Sequence, residues 1–275
     1  MKEGERFFKK FFILAVFIFG LLIVSLALYF IFKEKPSCQD GILNQNEERT
    51  DCGGPCLPCS ERLEVRDLET VSVEWSVDLA KKIDILGKIT NPNLLVGLEK
   101  FDFRFVLRDE VGEEIFSTDW QTGFILPKET KGVLAMGIAS EKIPAKIDLE
   151  FNKESFVWKK FSQYDEPDLF VINPRFERVS EGAPYQAVGT LFNKSTVDFE
   201  TIRVKVYLRD AQNVLLGANY QIVNTVRAGE QRDFLVFFPQ TDSSRVVKVE
   251  VEPETNVFSS DNYIRTFGRP ERWDE

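Results

Sequence analysis

The sequence predicts an all-β protein, with two tandem β-sandwiches behind one N-terminal transmembrane α-helix and a small disulfide-stapled segment. Three observations support this prediction: an uncharged apolar run near the N-terminus, period-two alternation of apolar residues after residue 60, and an internal repeat of about one hundred residues. The apolar run indicates where the chain lies, and the other two observations indicate its fold class.

The transmembrane helix is predicted from Phe11 to Phe32, a stretch of 22 residues without a charged side chain. A helix of this length reaches about 33 Å, which matches the hydrocarbon core of a bilayer. Four of the ten preceding residues are Lys or Arg, so the positive-inside rule places residues 1–10 in the cytoplasm and the C-terminal domains in the extracellular or periplasmic space. The alternative is a cleaved signal peptide with a cleavage-like site at Ser25-Leu26-Ala27, which exports the same domains.

Residues 37–60 form a cysteine-rich juxtamembrane segment that contains all four cysteines of the chain: Cys38, Cys52, Cys56 and Cys59. An even number of cysteines in a short exported segment predicts two disulfides, and the sequence leaves the three pairings open. A segment this small needs such staples because it cannot build a hydrophobic core of its own. The alternative is a four-cysteine zinc site, favoured by the Cys56-x2-Cys59 pair and disfavoured by an oxidising location.

The same segment is rich in oxygen ligands, namely Asp40, Asn44, Asn46, Glu47 and Asp51. Calcium binds carboxylate and amide oxygens in loops with glycine turns, so these residues form a candidate calcium site. Their order does not match an EF-hand loop, and Asn and Asp also favour turns without a metal. The pattern C-x-D-G-I-x-N-x-x-E-x-x-x-D-C-G-G-x-C-x-x-C resembles a short cysteine motif of exported bacterial and archaeal proteins, which implies no particular activity.

From residue 61 onward, apolar and polar residues alternate with a period of two, which is typical of strands with one buried face. The clearest runs are Val71, Val73, Trp75 and Val77, and then Phe101, Phe103, Phe105 and Leu107. Trp75 is in phase with its neighbouring valines and is expected in the core. Trp120 lies outside a clear alternation, and we expect it to be an exposed aromatic contact residue.

The alternating pattern occurs twice. Residues Gly87–Asn91 correspond to Gly189–Asn193, residues Phe105–Asp109 correspond to Val206–Asp210, and Glu129 corresponds to Glu230. The offsets are 102, 101 and 101 residues. We therefore predict one domain at 63–161, a second at 168–267 and a C-terminal tail at 268–275. About seven short strands per domain suggest sandwiches of the immunoglobulin or fibronectin type III kind.

The second copy also resembles a known family. Its segments Asp168 to Val171, Gly189 to Asn193, Val204 to Asp210, Arg227 to Glu230 and Val249 to Asn262 resemble the CARDB family of cell-adhesion-related domains. Both copies resemble the FxLYD family at Phe105 to Asp109 and Val206 to Asp210, although Arg108 and Arg209 stand where that motif has Tyr. These resemblances imply an immunoglobulin-like sandwich at an exported location, with a binding or spacer role.

Two surface features follow from the predicted strands. Arg203, Lys205 and Arg209 alternate with apolar residues, and we expect them on a solvated outer face. Asn193-Lys194-Ser195 matches an N-glycosylation acceptor in a turn.

Composition argues for a non-catalytic role. The chain has no histidine, which removes the usual general base and the usual nitrogen ligand for metals. It has no recognisable phosphate loop or nucleophile motif, and a net charge of −9 disfavours nucleic acid. We predict a single-pass cell-membrane protein that is not an enzyme and needs no cofactor apart from the calcium alternative.

The predicted partners are the lipid bilayer and a protein or glycan of unknown identity. The predicted role is adhesion, binding or spacing at the cell surface, with two domains end to end reaching about 80 Å. The alternative is a membrane-tethered structural subunit of a cell-envelope or secretion/pilus-type assembly.

Overall fold

The computed structural model describes residues 65–178, 180–181 and 184–264, together with 38, 42–47, 50 and 54–56 of the cysteine-rich segment and 14, 16–26 and 28 near the N-terminus. The chain forms two compact units, Met1–Glu64 and Val65–Glu275. The predicted cytoplasmic residues 1–10 and the predicted tail 268–275 lie outside the described residues.

The N-terminal unit contains a helical segment and a disulfide. Residues 16–26 are helical, and both ends of the predicted span Phe11 to Phe32 lie outside the described residues. Within the described part of the chain, no helix reaches the length and apolar character that a membrane crossing requires. The transmembrane helix therefore stays a prediction.

The larger unit is built almost entirely of antiparallel strands. Its first half contains seven: β1 (Glu69–Val77), β2 (Lys82–Thr90), β3 (Val96–Arg108), β4 (Glu114–Ser117), β5 (Gln121–Ile125), β6 (Thr130–Ala139) and β7 (Lys146–Lys160). Its second half contains six: β8 (Leu169–Arg178), β9 (Tyr185–Asn193), β10 (Phe199–Arg209), β11 (Leu215–Val226), β12 (Gln231–Phe238) and β13 (Lys248–Glu254). Short 3₁₀ helices lie at Phe161–Gln163, Ser243–Arg245 and Ser260–Asn262.

These strands form four sheets with the same order in both halves. In sheet I, β3 pairs with β7 on one side and with β4 and then β5 on the other, and sheet II has the order β1-β2-β6. In the second half, sheet III has the order β11-β10-β13 and sheet IV the order β12-β9-β8. Because β4 and β5 together make one pass along β3, sheets III and IV repeat the strand order of sheets I and II.

The repeated sequence landmarks make the same hydrogen bonds in both halves. Glu129 and Glu230 each accept the backbone N–H of the residue three positions earlier, at 2.7 and 2.8 Å. Asp109 and Asp210 each accept the N–H groups two and four positions later, at 2.8 to 3.0 Å. The offset of about 101 residues therefore reflects repeated local structure.

Each half has its own hydrophobic core between two facing sheets. Phe101, Phe105 and Leu107 of sheet I meet Ile85 and Val133 of sheet II. Sheets III and IV enclose an equivalent core, which includes Ile202, Val204, Val206, Leu191 and Phe234. Side chains that point away from these cores lie on the outer faces of the four sheets.

The two halves stack face to face, because the outer face of sheet II lies against the outer face of sheet III. Leu86 and Leu134 of sheet II form one buried cluster with Tyr207, Leu215 and Ala218 of sheet III. Near the turn that joins β1 to β2, the backbone N–H of Leu79 donates to the carbonyl of Gln240 at 2.9 Å. The sheets thus follow one another in the order I, II, III and IV, and the expected end-to-end arrangement of about 80 Å is wrong.

Candidate functional site

The structure resolves part of the cysteine prediction. Cys38 and Cys56 form a disulfide with their Cα atoms 5.6 Å apart, whereas Cys52 and Cys59 lie outside the described residues. Two sulfurs bonded to each other carry no thiolate, so this pair excludes a zinc site made of all four cysteines.

The predicted calcium ligands divide into Asn44, Asn46 and Glu47, which the structure describes, and Asp40 and Asp51, which lie outside the described residues. The backbone N–H of Glu47 donates to the carbonyl of Asn44 at 2.9 Å and closes a turn. One carboxylate oxygen of Glu47 lies 3.2 Å from Sγ of Cys56, and the other accepts the backbone N–H of Asn44 at 3.4 Å. The Glu47 carboxylate thus packs on its own turn and the disulfide, and calcium binding stays a prediction.

Trp120 lies between β4 and β5, and its side chain is 47% exposed. The guanidinium carbon of Arg104 lies 4.8 Å from the centre of the indole ring, a distance typical of a cation–π contact. Arg104 is itself held by Glu150, with hydrogen bonds of 2.8 and 3.0 Å. The three side chains form a partly exposed row on the outer face of sheet I.

A dense group of charged side chains lies between sheets II and III. Lys205, on β10, is 2% exposed, and its ammonium group contacts Glu252 at 2.5 Å and Glu254 at 3.0 Å. It also donates to the carbonyl of Gly132 in sheet II at 2.8 Å. Since Gly132 belongs to the first half and Lys205 to the second, this contact joins the two halves.

Glu254 is the central anion of this cluster. It forms ion pairs with Lys205 and with Lys131 of β6, and a longer one of 3.3 Å with Arg203. Burial alone would raise the pKa of the Glu254 carboxyl, but the ammonium groups of Lys131 and Lys205 outweigh burial and lower this pKa to about 2. The carboxyl is therefore ionised at every pH at which the protein is ordinarily handled.

The neighbouring groups complete the network. Glu252 accepts the N–H of Gly132 at 3.0 Å and the hydroxyl of Tyr207 at 3.1 Å. Burial raises the pKa of the Tyr207 hydroxyl well above its usual value, and the Glu252 carboxylate raises it further. Burial would lower the pKa of Lys205, but Glu254 and Glu252 raise it. Both side chains thus stay protonated, and Lys205 keeps donating across the interface to the carbonyl of Gly132.

Arg209 makes the second ionic link between the halves. It is 1% exposed and pairs with Glu250 on the adjacent strand at 2.9 Å and with Glu74 of β1 at 2.7 Å. It also donates to the carbonyl of Asn213 at 2.9 Å. The expectation that Lys205 and Arg209 lie on a solvated face is therefore wrong. They do alternate away from their own core, but sheet II of the other half covers them.

Gly132 is required at the closest approach of the two sheets. A Cβ atom at this position would collide with the hydroxyl oxygen of Tyr207 and would lie 2.8 Å from Cδ1 of Leu86. An open cleft lies next to Glu254, and Phe124 and Glu166 are among its other lining residues.

Asn193, predicted as a glycosylation acceptor, is fully buried. Its side-chain nitrogen donates to the carbonyls of Val197, Val226 and Arg227 at 2.9 to 3.2 Å. The acceptor nitrogen is therefore occupied inside the protein, and the glycosylation prediction is wrong. Asn91, at the same repeat position, donates to two backbone carbonyls in the same way.

Compared with known proteins, the chain matches no family model and no curated sequence. The arrangement described above is therefore interpreted from its own geometry. It joins the two pairs of sheets into one body through four cationic and four anionic side chains, most of them held between sheets II and III. These are Lys131, Arg203, Lys205 and Arg209, with Glu74, Glu250, Glu252 and Glu254.

Proposed function

We propose that the chain is a membrane-anchored surface protein with a non-catalytic binding role, and that its two sandwiches act as one rigid binding module. The observation that carries this proposal is the buried ionic interface between sheets II and III. Breaking a buried ion pair leaves an uncompensated charge, so its members resist separation. A module held in this way keeps a fixed spacing between its outer surfaces.

The strand order supports an immunoglobulin or fibronectin type III kind of sandwich. Each half has two facing antiparallel sheets, and the chain passes between them as it does in such domains. The resemblances to the CARDB and FxLYD families agree with this assignment and with a location outside the cell. Domains of this architecture differ widely in their ligands, so the fold supports binding without naming a target.

Binding is favoured over spacing because the halves lie side by side. A stack of this kind extends about 40 Å along its strands, half the reach of an end-to-end pair. Doubling the domain count therefore adds outer surface and little length. The row of Trp120, Arg104 and Glu150 is one such surface, with the aromatic and charged groups that protein and glycan contacts use.

The location can be tested on intact cells that carry the full chain, with a membrane-impermeant amine reagent and mass spectrometry. Lys146 and Lys153 have side chains that are 70% and 69% exposed, so they should react. Lys9 and Lys10 should react only after the membrane is opened, if residues 1–10 are cytoplasmic. Modification of Lys9 and Lys10 in intact cells, with protection of Lys146 and Lys153, would contradict the proposal.

Phe170, Ile172 and Phe237 are exposed apolar side chains on the outer face of sheet IV. They favour a second candidate, a subunit of an envelope assembly, because exposed apolar surface can mark a protein contact. Purification of the full chain in mild detergent separates the two. A surface binding protein should be recovered without other chains in fixed proportion. Recovery with a stoichiometric set of membrane proteins would support the assembly subunit instead.

A further inference from the structure

The two outermost faces of the four-sheet stack are the repeat equivalents of the two faces buried at its centre. Sheet II of the first half corresponds to sheet IV of the second, and sheet I corresponds to sheet III. Within one chain, the outer face of sheet II covers that of sheet III. Among the described residues of the larger unit, none of the other sheets covers the outer faces of sheets IV and I, which lie at opposite sides of the stack.

Sheet IV carries the apolar residues that sheet II uses at the interface. Leu86 pairs with Leu134 in sheet II, and Val188 pairs with Leu235 at the same position of sheet IV. Phe237 corresponds to Met136, which packs on the buried cluster of Leu86 and Leu134. Phe237 is 51% exposed, and Phe170 and Ile172 extend the same exposed face on β8. Three large apolar side chains are thus exposed on the outer face of sheet IV.

Sheet I carries the ion pairs that sheet III uses at the interface. Arg104 pairs with Glu150, and the equivalent pair is Lys205 with Glu252. Arg108 pairs with Asp148 and also donates to the carbonyl of Gly112, just as Arg209 pairs with Glu250 and donates to the carbonyl of Asn213. In sheet III these cations are covered, whereas Arg104 and Arg108 are about one-third exposed.

We propose that sheet IV of one copy of this chain docks on sheet I of a second copy, which reproduces between molecules the contact made within each molecule by sheets II and III. The occupant is a second copy because one chain carries the repeat equivalents of both faces of this contact. The contact is heterologous, so it produces an open chain of molecules or a closed ring.

One difference between the repeats adds a pair of opposite charges at this contact. Asp233 stands where Gly132 lies in sheet II, and the same alignment places it opposite Arg104, the equivalent of Lys205. Arg175 stands in the position of Glu74, whose partner Arg209 corresponds to Arg108. Glu114 lies beside Arg108 in sheet I, as Leu215 lies beside Arg209 in sheet III. Asp233 with Arg104 is therefore a pair of opposite charge at this contact, and Arg175 faces Arg108 together with its neighbour Glu114.

Sedimentation of the full chain in mild detergent, over a range of concentrations, tests this proposal. The wild-type chain should form assemblies that grow with concentration. Phe237→Glu places a charge in the apolar face of sheet IV and should weaken association more than about tenfold. Val111→Glu is the matched control, because Val111 is 81% exposed in the turn after β3, away from both faces, and it should associate like the wild type. Circular dichroism checks that each variant is folded.

A mixing experiment tests the head-to-tail geometry. Arg104→Glu disables sheet I and leaves sheet IV intact, whereas Phe237→Glu does the reverse. Neither variant should associate alone, but a mixture should form one-to-one dimers that grow no further. Combining Arg104→Glu with Asp233→Arg in one chain should restore association, because the charge pair is then reversed.

Two results would overturn the proposal: a wild-type chain that stays monomeric at the highest concentration, or assemblies that persist unchanged in both single variants. Neither result affects the labelling pattern of the lysines on intact cells, so failure of self-association is distinguishable from failure of the proposed location and binding role.

Discussion

The buried interface can be tested by removing the same arginine from both repeats. Arg209 and Arg108 occupy equivalent positions, and each pairs with a carboxylate on the neighbouring strand and with a turn carbonyl. They differ in that Arg209 is covered by sheet II and also binds Glu74. Changing each to Met keeps the apolar stem, so the comparison isolates the effect of burial and of the second partner.

The expected losses of stability differ severalfold. Arg209→Met leaves Glu74 and Glu250 in a covered site without their shared cation, and removing one partner of a buried pair costs about 3–5 kcal/mol. Because both carboxylates keep some exposure, we expect about 3 kcal/mol. Arg108→Met removes a partly exposed pair, for which about 1 kcal/mol or less is usual.

Urea unfolding of the full chain in detergent measures both losses under the same conditions. A double-mutant cycle with Glu74→Gln should give a coupling energy of about 1–3 kcal/mol with Arg209. The same cycle with Arg108 should give a value near zero, because the structure shows no contact between the described side chains of Arg108 and Glu74. Equal losses for the two arginines, or no coupling of Arg209 to Glu74, would refute the role given to the interface.

Three further predictions concern single positions. The pKa of the Glu254 carboxyl is lowered when the chain folds, so its contribution to stability is present above about pH 4.5 and is lost as the pH falls towards 2. Thermal melting should show a loss of about 3 kcal/mol over this interval, and the loss should be smaller in Glu254→Gln. Asn193→Ala removes the donor for three backbone carbonyls and should lower the free energy of unfolding by about 1–3 kcal/mol, measured by denaturant unfolding. Mass spectrometry of the wild-type chain from a glycosylating host should show no glycan at Asn193. Gly132→Val should separate the two halves because the new side chain collides with Tyr207. Backbone amides of β6 and β10 should then exchange hydrogen faster, and unchanged exchange in these strands would contradict the close packing.

The sequence predicted strands well where alternation faces a core. The run from Phe101 to Leu107 lies in β3, and its alternate residues are buried as expected. The run that ends at Val77 also forms a strand, but Val71 is exposed because β1 shifts register between Thr70 and Ser72. Val77 is also exposed, at the last residue of the strand. A bulge of this kind adds a residue without changing the local pattern, so alternation alone does not reveal it.

The sequence did not predict the interface between sheets II and III, because the alternation of apolar residues indicates only the hydrophobic core nearest to each strand. It correctly placed Lys205 and Arg209 opposite the core of their own half, and an outer face is usually solvated. The sheet that covers them comes from the other half, more than seventy residues away in sequence. The repeat did contain a signal for Asn193, since Asn91 occupies the same position in an Asn-Pro-Asn sequence that cannot be glycosylated. An asparagine kept in both copies indicates a structural role.

The even number of strand passes in each half accounts for the stacking of the two halves. In each half the chain makes six passes between opposite ends, because β4 and β5 count as one pass along β3. An even number of passes returns the chain to the end at which it entered, so Leu169 begins the second half beside the end where Lys160 closes the first. A seventh strand would deliver the chain to the far end and allow an extended rod. Without it, the short segment 161–168 holds the two halves side by side, and the ionic residues of sheet III are those that this geometry places against a neighbour.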